Sequence, residues 1–229
     1  MIIWTRSKSD WEKDQSLFST LDNILHIPCI EKSHLSPPIP SPKGSLTVCT
    51  SPETAHIIPA SDEKIICFGE KTFQTLSQKG HTDLEKIETT TAQGLLPYIQ
   101  KNYQNFKSLW LPGPKNRAFD LSVFAKKNGW AFTVLDLYQT QTGCFAPREL
   151  IQKLHALPQG VLCFASPSSA QGFLKQPQSQ DFLSWPVCVI GETTQVFCES
   201  QHFTKIYTAK NQSLKELYQC GLRTLQLQR

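Results

Sequence analysis

The sequence predicts an α/β protein built from two parallel sheets, each covered by helices on both faces. Three observations predict it. Short apolar runs rich in β-branched residues alternate with polar stretches of helix length. The runs are bounded by Gly, Pro and Ser, and read as strands buried on both faces. The same series of segments then occurs twice along the chain, which implies a duplicated architecture.

The strand candidates are IIWT (2–5), ILHIP (24–28), LTVCT (46–50), KIICFG (64–69), KIETT (86–90), SLWLPG (108–113), FTVLDLY (132–138), GVLCFA (160–165), VCVIG (187–191) and KIYTA (205–209). Between them lie the helix candidates WEKDQSLFSTL, PETAHII, KTFQTLSQKG, AQGLLPYIQKNY, FDLSVFAKKNG, PRELIQKLHAL, SAQGFLK, TTQVFCES and SLKELYQCGLRTL.

The repeat is read segment by segment. LTVCTSPETAHII (46–58) matches VLCFASPSSAQGF (161–173), and IICFGEKTFQTLSQKG matches VCVIGETTQVFCESQHF. KIETTTAQGLLPYI (86–99) matches KIYTAKNQSLKELY (205–218). A weaker match joins 4–28 to 111–138. The middle copy has its strands in one run, whereas the other copy lacks two, which the N-terminal strands supply. One domain is therefore expected to be discontinuous, 1–34 plus 143–229, with 35–142 inserted. The Pro/Ser-rich stretch KSHLSPPIPSPKG (32–44) and YQTQTGCFAP (138–147) are the expected hinge segments.

Composition narrows the function. The chain has 229 residues, 18% of them charged, with a formal net charge of +4. Mild basicity is compatible with an anionic ligand or with an ordinary surface balance, and no dense Lys/Arg cluster or recognition motif argues for nucleic acid. The N-terminus meets charges too early for a signal peptide, and no run approaches the ~18 apolar residues of a membrane span. A cytoplasmic protein with no nucleic-acid and no membrane partner is expected. The eight cysteines form no C-x-x-C pair and the six histidines no ligand spacing, so no metal is expected. Cys49, Cys67, Cys163 and Cys188 fall in strand-like runs and read as buried hydrophobes.

In parallel α/β sheets ligands bind beyond the carboxyl ends of the strands, beside helix N-termini whose free N–H groups and dipole favour anions. Each copy offers two such turns. The middle copy has Thr50-Ser51-Pro52 and Gly69-Glu70-Lys71-Thr72. The other has Ser166-Pro167-Ser168-Ser169 and Gly191-Glu192-Thr193-Thr194. Glycine permits close approach, and Ser/Thr hydroxyls cap a helix or donate to a carboxylate. Plain helix capping explains any one of these hydroxyls equally well. Their repetition points to a binding cleft, with the turns facing each other. Phosphate loops, nucleophile elbows and H-E-x-x-H are absent, so an enzyme built on this chain would act mainly by orienting a reactive substrate.

Together these segments resemble uroporphyrinogen-III synthases over nearly the whole chain. The marks are the first strand ending in Thr5-Arg6, ILHIP, the TSP and FASPSSA turns, FGEKT, VIGETT, Asn116-Arg117 and DLYQT (136–140). The resemblance implies two flavodoxin-like parallel-sheet α/β domains joined by a two-stranded linker, the first domain discontinuous. It implies closure of hydroxymethylbilane, a linear tetrapyrrole with eight carboxylates, to uroporphyrinogen III, with loss of water and inversion of the D ring. The implied route runs through an azafulvene and a spiro intermediate and needs no cofactor. A transient hand-over from hydroxymethylbilane synthase is implied as well.

Residue by residue, Tyr138 matches the family's linker tyrosine, which helps the hydroxyl leave; a phenol of pKa about 10 can donate a proton at neutral pH. Packing at a strand end is its other reading. Thr72 and Thr194 match the threonines of the G-x-x-T turns, with Gly69, Gly191 and Thr193 beside them, and Ser166 matches the Ser-Pro serine, with Ser168 beside it; Ser51 is its counterpart in the middle copy. Arg6 and Arg117 are candidates for bidentate carboxylate contacts or for structural ion pairs. LPGPKN (111–116) stands where members often carry Arg-Gly, and Glu70 and Glu192 put negative charge near the anion sites. Two other readings share the fold: a non-enzymatic two-lobed binder of an anionic small molecule, and a flavodoxin-like redox protein, against which the missing phosphate loop argues. A monomer is expected.

Overall fold

A computed structural model describes residues 1–39, 43–88, 92–117 and 121–227. Expectations touching 40–42, 89–91, 118–120 and 228–229, including the end of the KIETT strand and the start of the FDLSVF helix, lie outside the described residues. The chain divides into two compact units, Met1–Lys32 with Gln141–Arg229, and Ser33–Thr140.

The first, discontinuous unit contains β1 (Ile2–Trp4), α1 (Lys8–Asp14) and β2 (Ile24–His26), and the chain leaves it in β3 (Ile30–His34). The inserted unit follows with β4 (Leu46–Cys49), α2 (Pro52–Ile57), β5 (Ile65–Phe68), α3 (Gly69–Gln78), β6 (Leu84–Ile87), α4 (Ala92–Asn102), β7 (Ser108–Pro114), α5 (Ser122–Lys127) and β8 (Ala131–Thr142). The chain then completes the first unit with α6 (Arg148–His155), β9 (Val161–Phe164), α7 (Pro167–Leu174), β10 (Pro186–Val189), α8 (Glu192–Ser200), β11 (Lys205–Thr208) and α9 (Leu214–Gln226).

The discontinuous unit holds a five-stranded sheet of order β11-β10-β9-β1-β2, and the inserted unit a six-stranded sheet of order β3-β8-β7-β4-β5-β6. The pairs β1–β2, β1–β9, β9–β10, β10–β11, β4–β5, β4–β7, β5–β6 and β7–β8 are all parallel. Central strands β4, β5, β9 and β10 are buried along their length, while β2, β6 and β11 at the edges are partly exposed.

Alternation along each strand sends neighbouring side chains to opposite faces. Ile3, Leu162, Phe164, Val187 and Val189 pack with α6, α7 and α8, whereas Ile2, Trp4, Val161, Cys163 and Cys188 pack against α9. In the inserted unit Val48, Ile66 and Leu111 pack with α4, and Cys49, Cys67, Trp110 and Leu137 with α2 and α3. All eight cysteines are free thiols, and only Cys144 is partly exposed.

Several helices begin at a serine. Ser7, Ser51, Ser166 and Ser213 each accept a backbone N–H three residues on, at Asp10, Thr54, Ser169 and Glu216. Pro52 and Pro167 occupy the first helical turn, where a missing N–H costs nothing. The Ser7 cap starts α1 three residues earlier than the WEKD pattern suggests, and a 3-10 turn over Gln15–Leu17 ends it.

The expected hinges contain regular structure. Residues 30–34 form β3, and β8 continues to Thr142, so β3 and the end of β8 carry the chain between the units as neighbours at one sheet edge. IEKSH has too few apolar residues to read as a strand; the next strand's backbone recruits it. After β8, Gly143 N donates to Cys29 O at 3.1 Å and Phe145 N to Pro28 O at 2.8 Å. Gly172 of α7 presses on the same carbonyl: a Cβ there would lie 1.7 Å from Cys29 O. Gly172→Ala is expected to cost about 3 kcal/mol or more, because backbone cannot yield as a side chain does, as read by guanidinium denaturation; an unchanged midpoint contradicts this close approach.

Candidate active site

In the inserted unit, the crossover from β4 to β5 runs one way across the sheet, while β7 returns to the other side of β4. Helices leaving neighbouring strands in opposite directions open a crevice at the carboxyl ends. A cavity of about 590 Å³ lies there. Thr50, Ser51 and Pro52 line it after β4, Gly69, Glu70, Lys71 and Thr72 after β5, Pro112, Asn116 and Arg117 at the end of β7, and Tyr138 from β8.

Each side chain is held by local chemistry. Gly69 takes the left-handed conformation, φ +72°, at the tight passage from β5 into α3, where a side chain would be strained. Among the described residues no side chain caps α3, which leaves the amide donors of its first turn facing the cavity end of the helix. Thr72 is buried in that turn. Glu70, which raised the prospect of negative charge at an anion site, does line the cavity, and its charge is offset by Lys86 Nζ at 2.7 Å, with Gln74 Nε2 at 2.9 Å. The Lys86 hydrogen bond holds its carboxyl below the ordinary value.

Arg117 is tied to the strand ends. Its Nη1 donates to Asp136 Oδ1 at 2.6 Å, and its Nη2 to Leu135 O at 2.9 Å and to Leu111 O at 3.3 Å. Its Nε is buried and, among the described residues, has no hydrogen-bond partner. The guanidinium is thus both an ion pair and part of the cavity wall.

Tyr138 is only 6% exposed. Its hydroxyl lies 3.0 Å from Ser51 Oγ. Burial pushes the phenol's pKa up, Glu53 and Cys49 push the same way, and the Ser51 and Thr54 hydroxyls oppose them; the net shift is upward. Tyr138 is therefore a protonated phenol at neutral pH, able to give a hydrogen bond or a proton.

The structure brings Ser51, Gly69, Thr72, Arg117 and Tyr138 to this one cavity. Ser166, Ser168, Gly191, Thr193 and Thr194 lie in the other unit, at the starts of α7 and α8 beyond β9 and β10. Ser166 is satisfied by a capping box with Ser169, and Thr194 is buried. Gly191 starts α8 without a side-chain cap, its extended backbone backed by Gln212. Arg6 has a structural role: it pairs with Asp14, and its Nη2 lies 2.9 Å from Asp10 Oδ2. Lys32 Nζ reaches Asp10 at 3.0 Å and Trp4 Nε1 donates to Asp14 at 2.9 Å. Asp136 and Thr54 escaped the reading of the sequence. Thr54 had a signal, three residues after a Ser-Pro cap; Asp136 had none, since its partner is nineteen residues away.

A family model described as uroporphyrinogen-III synthase HemD matches residues 24–219. The chain belongs to the uroporphyrinogen-III synthase family. Its fold is that of solved uroporphyrinogen-III synthases. A uroporphyrinogen-III synthetase from Helicobacter pylori superposes with a TM-score of 0.61 at 17% identity, covering 97% of this chain and 98% of that one. A mutant uroporphyrinogen III synthase from the extremely thermophilic bacterium Thermus thermophilus gives 0.61 at 15% identity, covering 99% of each. No curated protein matches the chain significantly. Uroporphyrinogen-III synthases belong to heme biosynthesis, and nothing in these likenesses favours the non-enzymatic anion binder. Among the described residues no helix is long and apolar enough to cross a membrane.

The ion cluster behind Arg6 has a testable consequence. Burial pushes the Asp10 carboxyl up, but Arg6 and Lys32 outweigh it and hold the pKa below its ordinary value. A depressed folded-state pKa stabilises above about pH 4, and the contribution disappears as pH falls through the folded value. Arg6→Gln leaves buried Asp14 without its cation. Denaturation at pH 7 is expected to show a loss of about 3 kcal/mol, and the acid-unfolding midpoint to move to higher pH by circular dichroism. An unmoved midpoint would show that the carboxylates do not depend on Arg6.

Proposed function

We propose that the chain closes hydroxymethylbilane to uroporphyrinogen III as a cofactor-independent hydro-lyase, with Tyr138 as the acid that releases the hydroxyl. The observation that carries this reading is a buried, protonated phenol held by Ser51 in the wall of a cavity at the carboxyl ends of β4, β7 and β8. The phenol gives its proton to the substrate's terminal hydroxyl. The carbon–oxygen bond breaks, its electron pair leaves with water, and the pyrrole nitrogen supplies the electrons that form the azafulvene. The substituted carbon of the terminal pyrrole attacks the azafulvene methylene to give the spiro intermediate. The older bond from that carbon to its neighbouring bridge breaks to give a second azafulvene, and the free carbon of the same pyrrole attacks this one to close the ring. The proton released as that pyrrole regains aromaticity returns to the phenolate.

The cavity takes one end of the linear substrate. Lys71 and the uncapped amides of α3 serve its carboxylates, together with Thr72. Arg117 adds a positive charge to the cavity wall. In the other unit Gly191, Thr193 and Thr194 offer the same helix-start chemistry, with Ser166 and Ser168 beside them. Arg6, neutralised by two carboxylates, is left out of the substrate contacts. The protein acts as a cytoplasmic monomer, taking its substrate from hydroxymethylbilane synthase.

The test generates hydroxymethylbilane in situ, adds the protein, oxidises the products and separates the uroporphyrin isomers. Isomer III in proportion to protein is expected above the spontaneous isomer I; isomer I alone, from folded protein, sinks the assignment. Tyr138→Phe is expected to lower turnover about 100-fold while the fold loses only about 1 kcal/mol for one hydrogen bond. Undiminished turnover would remove Tyr138 from the chemistry.

A further inference from the structure

Tyr138 has one hydrogen, and as an acid it must present that hydrogen to the cavity. Its nearest partner competes for it, since Ser51 Oγ lies 3.0 Å away and can accept. What decides the direction is how many lone pairs Ser51 has left. A serine hydroxyl has two. Thr54 N–H takes one, at 3.2 Å, in capping α2. Thr54 Oγ1 lies 3.0 Å from the same oxygen, so its hydrogen can take the second. Ser51 is then full as an acceptor, and its own hydrogen goes to the Tyr138 oxygen. Thr54 is fully buried, and its hydroxyl stands 3.6 Å from where a Cβ on Gly113 would be, so β7 and α2 fix its place.

We propose that Thr54 is a positioning residue for the acid: by saturating Ser51 it turns the Tyr138 hydrogen into the cavity and gives the nascent phenolate a donor. The catalytic half of this rests on the reaction proposed above. Losing the Thr54 hydroxyl reopens a lone pair on Ser51, and Tyr138 then donates inward, away from substrate. The titratable groups facing Tyr138 are Glu53 and Cys49; both push its pKa up, and burial keeps the Cys49 thiol neutral, its own pKa raised to about 12.

Thr54→Val removes the hydroxyl at constant shape and keeps the capping N–H, whereas Thr54→Ser keeps the hydroxyl. Two readouts separate positioning from packing. Isomer III kinetics give kcat and KM. The Tyr138 titration, followed by carbon NMR of ring-labelled tyrosine and assigned with Tyr138→Phe, needs no substrate. Thr54→Val is expected to lower kcat about tenfold, the worth of one hydrogen bond, at unchanged KM, and to raise the Tyr138 pKa. Thr54→Ser is expected to restore both. Wild-type kcat and an unmoved titration in Thr54→Val overturn the proposal, as does an equal loss in both variants, which would mean packing alone. If the wild-type protein forms no isomer III yet the titration moves with Val and returns with Ser, the hydroxyl arrangement stands and the reaction assignment fails.

Discussion

Parallel strands can be joined only by a crossover that returns the chain to the starting edge, and in this protein that crossover is a helix wherever parallel neighbours follow one another. The consequence is geometric. Strands paired in parallel end on the same edge, and the helix starts gather there, with their unsatisfied N–H groups and the positive ends of their dipoles. Where consecutive crossovers go opposite ways, at β4 and β7 in the inserted unit and at β1 and β9 in the discontinuous one, the helices part. Ser51, Gly69, Thr72, Arg117 and Tyr138 are distant in sequence and share a cavity for this reason alone.

The same constraint explains the discontinuous unit. Read from β9, its strands run β9, β10, β11, β1, β2 and occupy the sheet in the order third, second, first, fourth, fifth. The inserted unit, read from β4 to β8, has that order too. The two units are one topology entered at different points. Parallel strands and helical crossovers are indifferent to where the chain begins, provided the broken connection lies at the surface.

Equivalent positions have nonetheless diverged in what they bind. Ser51 and Ser166 each cap a helix after a central strand and precede a proline. Ser166 closes its capping box with Ser169, and its hydroxyl is engaged within the turn. In the inserted unit the residue at the corresponding place is Thr54, and β8 brings a phenol within reach of Ser51. One serine oxygen therefore serves both a helix cap and a buried phenol. Arg6 and Arg117 show a parallel divergence: both follow a strand at a switch point, but two buried carboxylates hold the first, and a half-exposed one holds the second at the cavity.

Strands such as IICF and VCVI were legible in the sequence because burial on both faces leaves a run with no polar residue, and glycine or serine beyond it marks the turn into a helix. The repeat and the caps at Ser51 and Ser166 were legible as patterns along the chain, whereas Tyr138 was singled out only through the resemblance to the synthase family. IEKSH was illegible as a strand, because its pairing depends on β8, about a hundred residues later. So was the partner of Arg117, and so was the fate of the Arg6 charge. By itself the sequence determined which segments form strands and helices, and which residues stand at their ends. Only the tertiary structure decided which of those ends meet, which arginine is neutralised, and that the Tyr138 hydroxyl lies against Ser51, because hydrogen bonds and ion pairs act over about 3 Å in space and take no account of separation along the chain.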